Sequence, residues 1–321
     1  MYRNIVEIQF LFGFFAFCLG AIVGSFLNVV VWRVPRGMSI VSPPSACPKC
    51  GHRIRPWENI PILSWVFLGG RCSGCHQPIS WKYPAGEAAV GILFWMIFQR
   101  VFGDGLPLST VLGWWWFAGA MLSLARIDYE KGVIPNLVTY SGMVAALALA
   151  VVFPYGRPAI ANPADLNLGC VLSRPLVAFL LTVGPPAVAT RLAAAADCLF
   201  GMLLAGLVLG SANWLGSIAL QSWRMRHNKA DLPAEPLGWG DIKMLAMTGA
   251  FLGADACVYL LAGGALIGFV VCLVQLGRRK AAGGIWSSLP FAPFFAVPAL
   301  LWVVLGNWLY LLYRLCAPAQ Y

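Results

Sequence analysis

Two acidic residues at the edges of apolar stretches are the first candidates for chemistry. Asp128 ends one stretch, and Asp241 begins another within Gly238-Trp239-Gly240-Asp241-Ile242-Lys243. Ionisable groups are costly to place beside hydrocarbon, so they are functional candidates by default. Two facing carboxyl groups share one proton; the ionised group can take a proton from water while its partner donates to a carbonyl oxygen. This pattern predicts peptide hydrolysis.

The helix ends beside the two carboxyl groups suggest a division of roles. Asp241 stands near a predicted helix N-terminus, which favours negative charge, and Asp128 stands near a C-terminus, which favours the protonated form. We therefore expect Asp241 to act mainly as the base and Asp128 mainly as the acid. Gly238 and Gly240 permit close backbone approach and leave room for an extended substrate.

Other hydrolytic chemistries find little support in the sequence. The three His residues, His52, His76 and His227, fall in predicted loops, and no H-E-x-x-H metal motif or phosphate-binding G-x-x-x-x-G-K-[ST] loop is present. Asp197 precedes an apolar stretch, where we expect it to cap a helix N-terminus. Two aspartates at membrane boundaries could also be surface charges without a catalytic role. The other motifs of the chain are needed to decide between these two interpretations.

Four of the ten cysteines form one pattern, Cys47-x2-Cys50 and Cys72-x2-Cys75. Each pair can offer two thiolates from one tight turn, and two such turns complete a tetrahedral site. We predict a structural Zn²⁺ site, because four sulfur ligands leave no open position for water. His52 and His76 lie next to these turns and are the alternative ligands. The other six cysteines fit small apolar positions.

The elements that must position these residues are membrane helices. The chain is 60% hydrophobic and 11% charged, whereas soluble domains carry about 25% charged residues. Segments that cross hydrocarbon must satisfy their own backbone hydrogen bonds, so we predict an all-α polytopic fold with about eight transmembrane helices. The apolar stretches are 9–32, 84–102, 108–127, 133–153, 197–222, 242–256, 257–277 and 291–313.

The distribution of basic residues predicts the orientation. With the N-terminus outside, most of the 22 Lys and Arg fall on the cytosolic side, as the positive-inside rule requires. The net charge of +10 therefore needs no nucleic acid partner. We expect a first transmembrane helix at 1–32, a cytosolic four-cysteine zinc-binding loop domain at 33–83, and a membrane-embedded core at 84–321. Residues 154–196 are interpreted as an insertion on the outer face.

Several motifs, taken together and in order, resemble the bacterial type IV prepilin peptidases, a family of aspartic membrane peptidases with a G-x-G-D motif. The resemblance covers nearly the whole chain apart from 154–196. Its motifs are Gly24-Ser25-Phe26-Leu27-Asn28, Arg33-Val34-Pro35, the four-cysteine loop, Tyr83-Pro84-x-x-Glu87, Ile127-Asp128, Ile134-Pro135-Asn136-Leu137-x-Thr139, Asp197 with Gly201, Gly238-x-Gly240-Asp241-x-Lys243 and Pro290-Phe291-Ala292-Pro293-Phe294.

The resemblance implies an inner-membrane enzyme whose substrates are prepilins or pseudopilins of type IV pili or type II secretion. It implies removal of a short basic leader on the cytosolic side by Asp128 and Asp241, with Gly238, Gly240, Lys243, Pro135 and Asn136 in support. It also implies N-methylation of the new N-terminus with S-adenosylmethionine, for which Glu87 and the four-cysteine loop are candidate contributors.

Two alternative functions remain open from the sequence. A presenilin or signal-peptide-peptidase type of intramembrane protease shares G-x-G-D, but that type lacks the four-cysteine loop. A proton-coupled transporter could use the same two aspartates as a relay. Cleavage of a purified prepilin after its leader would separate all three.

Overall fold

The computed structural model describes residues 2–154, 174–227, 237–279 and 290–316. Regular structure in these ranges is helical, with isolated bridges only between Ala46 and Arg53 and between Arg71 and Pro78. The predicted all-α fold is confirmed. The α-helices are α1 Tyr2–Arg33, α2 Leu63–Phe67, α3 Lys82–Gly103, α4 Ser109–Lys131, α5 Asn136–Val152, α6 Arg174–Leu181, α7 Pro186–His227, α8 Trp239–Leu252, α9 Ala254–Arg279 and α10 Ala292–Cys316.

Three of the described helices are long and apolar enough to cross a membrane, within Glu7–Arg36, Lys82–Gly103 and Pro186–Arg226. Shorter apolar helices occupy Asn136–Val152, Tyr259–Val274 and Ala292–Gly306. A helix lies on each of the eight apolar stretches of the sequence. The fold is therefore that of a polytopic membrane protein.

Helix α7 begins earlier than the sequence suggests. The predicted start is 197, but the helix runs unbroken from Pro186 to His227. Pro is well suited to a first helical position, and the Ala-rich run that follows has high helix propensity. Asp197 therefore does not cap this helix: it lies inside α7 and is buried. At 42 residues, α7 is about 63 Å long, roughly twice the thickness of a bilayer core.

The range 154–196 is thus partly helical, because α6 and the first turns of α7 belong to it. A turn with Gly184 at φ +81° separates those two helices. The other residues of the predicted insertion, 155–173, lie outside the described residues.

Helices α4 and α8 form the centre of the molecule. Almost every side chain of α8 from Asp241 to Leu252 is buried, which is typical of a helix that is surrounded by other helices. It packs against α7, α5 and α9, and it also contacts α4 and α10. Helix α4 packs between α1, α3 and α10 and buries Phe117, Met121 and Leu124 completely.

Helices α7 and α8 touch through two glycines. A Cβ placed on Gly201 would clash with the Gly249 carbonyl oxygen, and one on Gly249 would clash with that of Gly201. Only glycine permits this approach of two helix backbones. The contact holds α8 against α7 and thereby helps to fix the position of Asp241, two turns earlier in α8.

Candidate active site

Asp128 lies in the last turn of α4, and Gly132 caps the C-terminus of that helix. Gly132 adopts φ +66° and donates its N–H to the Asp128 carbonyl oxygen at 2.7 Å, a helix ending that glycine favours. The Asp128 side chain is 7% exposed. Its Oδ2 accepts a hydrogen bond of 2.9 Å from the backbone N–H of Ala292, the first residue of α10, where helix N–H groups lack intrahelical acceptors.

Asp241 lies in the first turn of α8. Gly238 is the N-cap in an extended conformation, and its carbonyl oxygen accepts the Asp241 N–H at 3.1 Å. The side chain is also 7% exposed. Its Oδ1 is buried and has no hydrogen-bond partner among the described residues. Because an unpaired buried oxygen is costly, this atom is suited to receive water or substrate.

Gly240 explains why the residue before Asp241 carries no side chain. A Cβ at this position would lie 2.7 Å from the Cβ of Ile134, well inside the contact distance of about 3.5–4.0 Å for two carbons. Gly238 faces the carboxyl group itself, because its Cβ would lie 3.2 Å from Asp241 Oδ2. Gly240 therefore lets the start of α8 approach the segment that follows Asp128, and Gly238 leaves space beside the Asp241 carboxyl group.

A second contact joins the same two segments. Asn136 is the first residue of α5, after Pro135 at its N-cap. Its Oδ1 accepts a hydrogen bond of 2.9 Å from Lys243 Nζ, and that ammonium group also stands 5.3 Å from the Tyr140 ring centroid. The two motifs that sequence resemblance singles out, around Ile134-Pro135-Asn136 and around Gly240-Asp241, thus contact each other twice.

The four cysteines of the loop also come together. The Sγ atoms of Cys47, Cys50, Cys72 and Cys75 all lie within 4.8 Å of one another. Each pair forms a matching turn, in which Gly51 N–H donates to the Cys47 carbonyl oxygen and His76 N–H to that of Cys72. This is the donor set and compactness that a tetrahedral Zn²⁺ requires.

The electrostatics of this cluster favour a cation. The backbone N–H groups of Cys50 and Lys49 lower the pKa of Cys47 to about 6. The pKa of Cys50 is instead raised to about 11: the His52 backbone N–H favours its thiolate, but desolvation and the neighbouring thiol groups outweigh that effect. A bound cation would stabilise the thiolate form of all four sulfurs, so the residues fit zinc.

His52 supports this cluster from outside it. Its Nε2 lies 3.1 Å from Glu58 Oε2 and 3.1 Å from Ser73 Oγ. The pKa of Glu58 is lowered to about 2, chiefly because the Arg55 backbone N–H donates to its Oε2. The anionic Glu58 and the His52 ring therefore link the first cysteine turn to the second through Ser73.

Glu87 joins the loop to the membrane helices. It is buried in the second turn of α3, and its Oε2 accepts a hydrogen bond of 2.7 Å from the Ile62 backbone N–H, at the start of α2. A Cβ on Gly24 of α1 would lie 2.8 Å from the Glu87 Cα. Glu87 thus occupies a three-way contact between α1, α3 and the loop.

Two contributors are not identified from the sequence. The first is the backbone N–H of Ala292, which cannot be recognised from residue types because every residue except Pro carries such a donor. The surrounding Pro290-Phe291-Ala292-Pro293-Phe294 is nevertheless among the family motifs. Arg126 counts in the sequence only as a basic residue, yet its guanidinium donates to Asn28 Oδ1 at 2.6 Å and pairs with Glu130 at 3.2 Å. Arg126 therefore ties α4 to α1, two residues before Asp128.

These features define a polytopic membrane protein with two buried aspartates at helix ends and a compact four-cysteine loop. Residues 18–101 match the family model described as the Bacterial Peptidase A24 N-terminal domain. No solved structure matches the chain.

Curated relatives match most of the chain. It is 32% identical to the prepilin leader peptidase/N-methyltransferase of Pseudomonas aeruginosa, over 88% of each chain. It is 34% identical to the protein of that name from Myxococcus xanthus, over 85% of this chain and 66% of that one. The corresponding protein of Stutzerimonas stutzeri is 29% identical over 89% of each chain. The chain belongs to the prepilin leader peptidase/N-methyltransferase family.

Proposed function

We propose that this protein is a bifunctional inner-membrane enzyme that removes the leader peptide of prepilins or pseudopilins and then N-methylates the new N-terminus. The observation that carries the peptidase half is the carboxyl pair itself. Asp128 and Asp241 come from different helices and are both buried, and Asp241 Oδ1 has no partner in the described part of the chain. The segments next to them meet where Gly240 packs on Ile134 and Lys243 donates to Asn136. Such a pair suits acid–base hydrolysis of an amide.

We assign the base to Asp128, which reverses the prediction made from helix ends. A hydrogen bond to a charged group contributes roughly 1.5–3 kcal/mol, and Asp128 accepts one from Ala292. The dipole of α8 favours charge on Asp241 by about 0.3–1 kcal/mol in typical settings. Its unpaired Oδ1 is less costly to bury when the group is neutral. The shared proton is therefore assigned to Asp241.

Hydrolysis then proceeds through balanced proton transfers. Asp128 takes a proton from water as the oxygen bonds to the scissile carbonyl carbon, and Asp241 donates its proton to the carbonyl oxygen. When the C–N bond breaks, the amine leaves with the proton that Asp128 holds. The newly formed carboxyl group returns a proton to Asp241 as the carbonyl forms again. Both side chains recover their initial states.

The four-cysteine loop supplies structure in this proposal. With Cys47, Cys50, Cys72 and Cys75 as its ligands, Zn²⁺ would be fully coordinated and would stabilise a loop with few buried apolar residues. We place the loop and the Asp pair on the cytosolic side, because the loop is rich in Arg and Lys. The methyl donor is S-adenosylmethionine, as the name of the relatives suggests, and Glu87 and the loop remain predicted contributors to that step.

The proposal is tested with purified protein in lipid nanodiscs and a prepilin substrate. Asp128→Asn and Asp241→Asn should each abolish leader cleavage, because each leaves only one ionisable group in the pair. Glu130→Gln is the matched control on α4, since Glu130 is exposed and lies half a turn from Asp128. A labelled methyl donor added to the same reaction tests N-methylation of the product. Robust cleavage by either Asn variant would reject the carboxyl pair.

A further inference from the structure

Helix α2 and its surroundings expose an apolar surface on the loop. Leu63, Val66 and Phe67 are 52%, 60% and 83% exposed, and their spacing of three and four residues places them on one helix face. Trp57, whose carbonyl oxygen accepts the Ser64 hydroxyl of α2, is also exposed. We call Trp57, Leu63, Val66 and Phe67 the α2 surface.

The opposite side of α2 is firmly attached to the loop. Ser64 is buried and donates to Trp57, and the Trp65 indole N–H donates to the Ile79 carbonyl oxygen at 3.0 Å. The ring of Trp65 also covers Gly70, where a Cβ would lie 2.9 Å away. The helix therefore cannot rotate its apolar face inward without losing these contacts.

The position of α2 along the membrane helices indicates what covers the α2 surface. Ile62, at its start, is hydrogen-bonded to Glu87, which lies about 7.5 Å along α3 from Lys82 at a rise of 1.5 Å per residue. Glu87 in turn packs on Gly24, nine residues before the end of α1 at Arg33. The start of α2 is therefore level with the second turn of one membrane-spanning helix and lies well inside the length of another.

Side chains around this level match a lipid interface. Trp81 immediately precedes α3 and is exposed, and Trp is enriched where a bilayer meets water. The basic residues Arg36, Arg71 and Lys82 are exposed in the same loop, and such residues attract the anionic headgroups of a cytoplasmic leaflet. An apolar face with neighbouring Trp and cations is the pattern of an interfacial helix.

We propose that the α2 surface lies in the inner leaflet of the membrane, with acyl chains and anionic headgroups as its occupant. This inference rests on the membrane orientation that is proposed above. The hydrogen bond that joins the start of α2 to Glu87 of the lipid-facing helix α3, and the charge of the loop, favour lipid over a second copy or the substrate. The loop is then held to the bilayer at a fixed height beside α1 and α3.

The test places an environment-sensitive fluorescent amino acid at position 67 of the full-length protein in phosphatidylethanolamine/phosphatidylglycerol nanodiscs. The matched control carries the same label at position 41, because Val41 is equally apolar and exposed in the same loop. Lipids brominated near the headgroup end of their acyl chains serve as quenchers. We expect blue-shifted emission and a large loss of signal at position 67, and neither at position 41.

Each alternative occupant gives a different result. Emission at position 67 that bromine leaves unchanged would overturn the inference, as would protection that appears only when prepilin is added or only when nanodiscs hold two copies. Zinc content and leader cleavage are measured on both labelled proteins. If the labelled protein binds zinc and cleaves prepilin but shows no quenching, only the lipid inference is contradicted. If it is quenched but never cleaves prepilin, only the proposed function is contradicted.

Discussion

Replacing Gly240 with Ala is the most direct test of how Asp241 is held in position relative to Asp128. The added methyl group would lie 2.7 Å from Ile134 Cβ, with Ile134 Cγ1 and Cδ1 at 3.3 and 3.4 Å. Cβ is fixed to the backbone, so a rotamer change of Ile134 cannot relieve the closest contact. The start of α8 must move instead, and Asp241 is the next residue.

The size of the effect follows from that distance. Restoring an ordinary carbon–carbon contact needs a displacement of about 1 Å. Overpacking of this kind costs about 1–3 kcal/mol of stability, so the protein should still fold. A misplacement of about 1 Å at a catalytic centre can cost about 100-fold in rate, equivalent to about 2.7 kcal/mol in the barrier. We expect a fall in kcat of that order with a smaller change in KM.

The assay is leader cleavage with varied prepilin concentration in nanodiscs. Gly210→Ala is the control, because a Cβ at Gly210 of α7 meets nothing within 4 Å. It should leave kcat unchanged and increase helix stability slightly. A second control combines Gly240→Ala with Ile134→Gly, which removes the clashing Cβ. The double variant should lose less activity than the two single changes predict together.

The reasoning is refuted if Gly240→Ala cleaves prepilin with the kcat of the Gly210→Ala control. It is also refuted if the losses of Gly240→Ala and Ile134→Gly add fully, since independent effects would mean that the two residues do not meet.

Three further predictions concern the contacts around the site. Lys243→Ala and Asn136→Ala should each lower kcat about fivefold, from loss of a hydrogen bond of about 1 kcal/mol. The double variant should be no worse than either single one, whereas additive losses would contradict a shared contact. Cys47→Ser/Cys72→Ser should remove zinc in elemental analysis of the purified protein, and equal zinc content in the variant and wild type would exclude the site. Glu87→Ala should speed hydrogen exchange of the Ile62 amide, which Glu87→Gln should largely preserve; equal exchange in Glu87→Ala and wild type would contradict the link.

The helices and the candidate residues are accessible from the sequence because strong physical constraints act on them. A segment in hydrocarbon must be helical, so hydropathy alone locates a helix on each of the eight apolar stretches. Asp128 and Asp241 stand out because charge is rare in such a chain. The C-x2-C spacing likewise predicts that four thiols converge, as they do.

The features that the sequence does not predict depend on tertiary contacts. The run 186–196 follows Gly184 and Pro185 and contains Arg191, so the sequence assigns it to the insertion, although its helix propensity continues α7 upstream. The Gly201–Gly249 contact joins residues 48 positions apart and shows only in three dimensions. The division of roles in the Asp pair is predicted from helix ends alone, and the hydrogen bond from Ala292 leads us to the opposite assignment.

The bond between Ala292 and Asp128 also bears on when the enzyme becomes competent during its synthesis. The two residues are 164 positions apart, and a ribosome adds roughly 5–20 residues per second. Ala292, whose amide stabilises the ionised form of Asp128, is therefore synthesised on the order of ten seconds or more after Asp128. A ribosome-bound chain that has inserted α1 to α8 already carries both aspartates, yet it lacks this donor. The proposed mechanism therefore makes proteolytic competence a late event of biogenesis, after the insertion of α10.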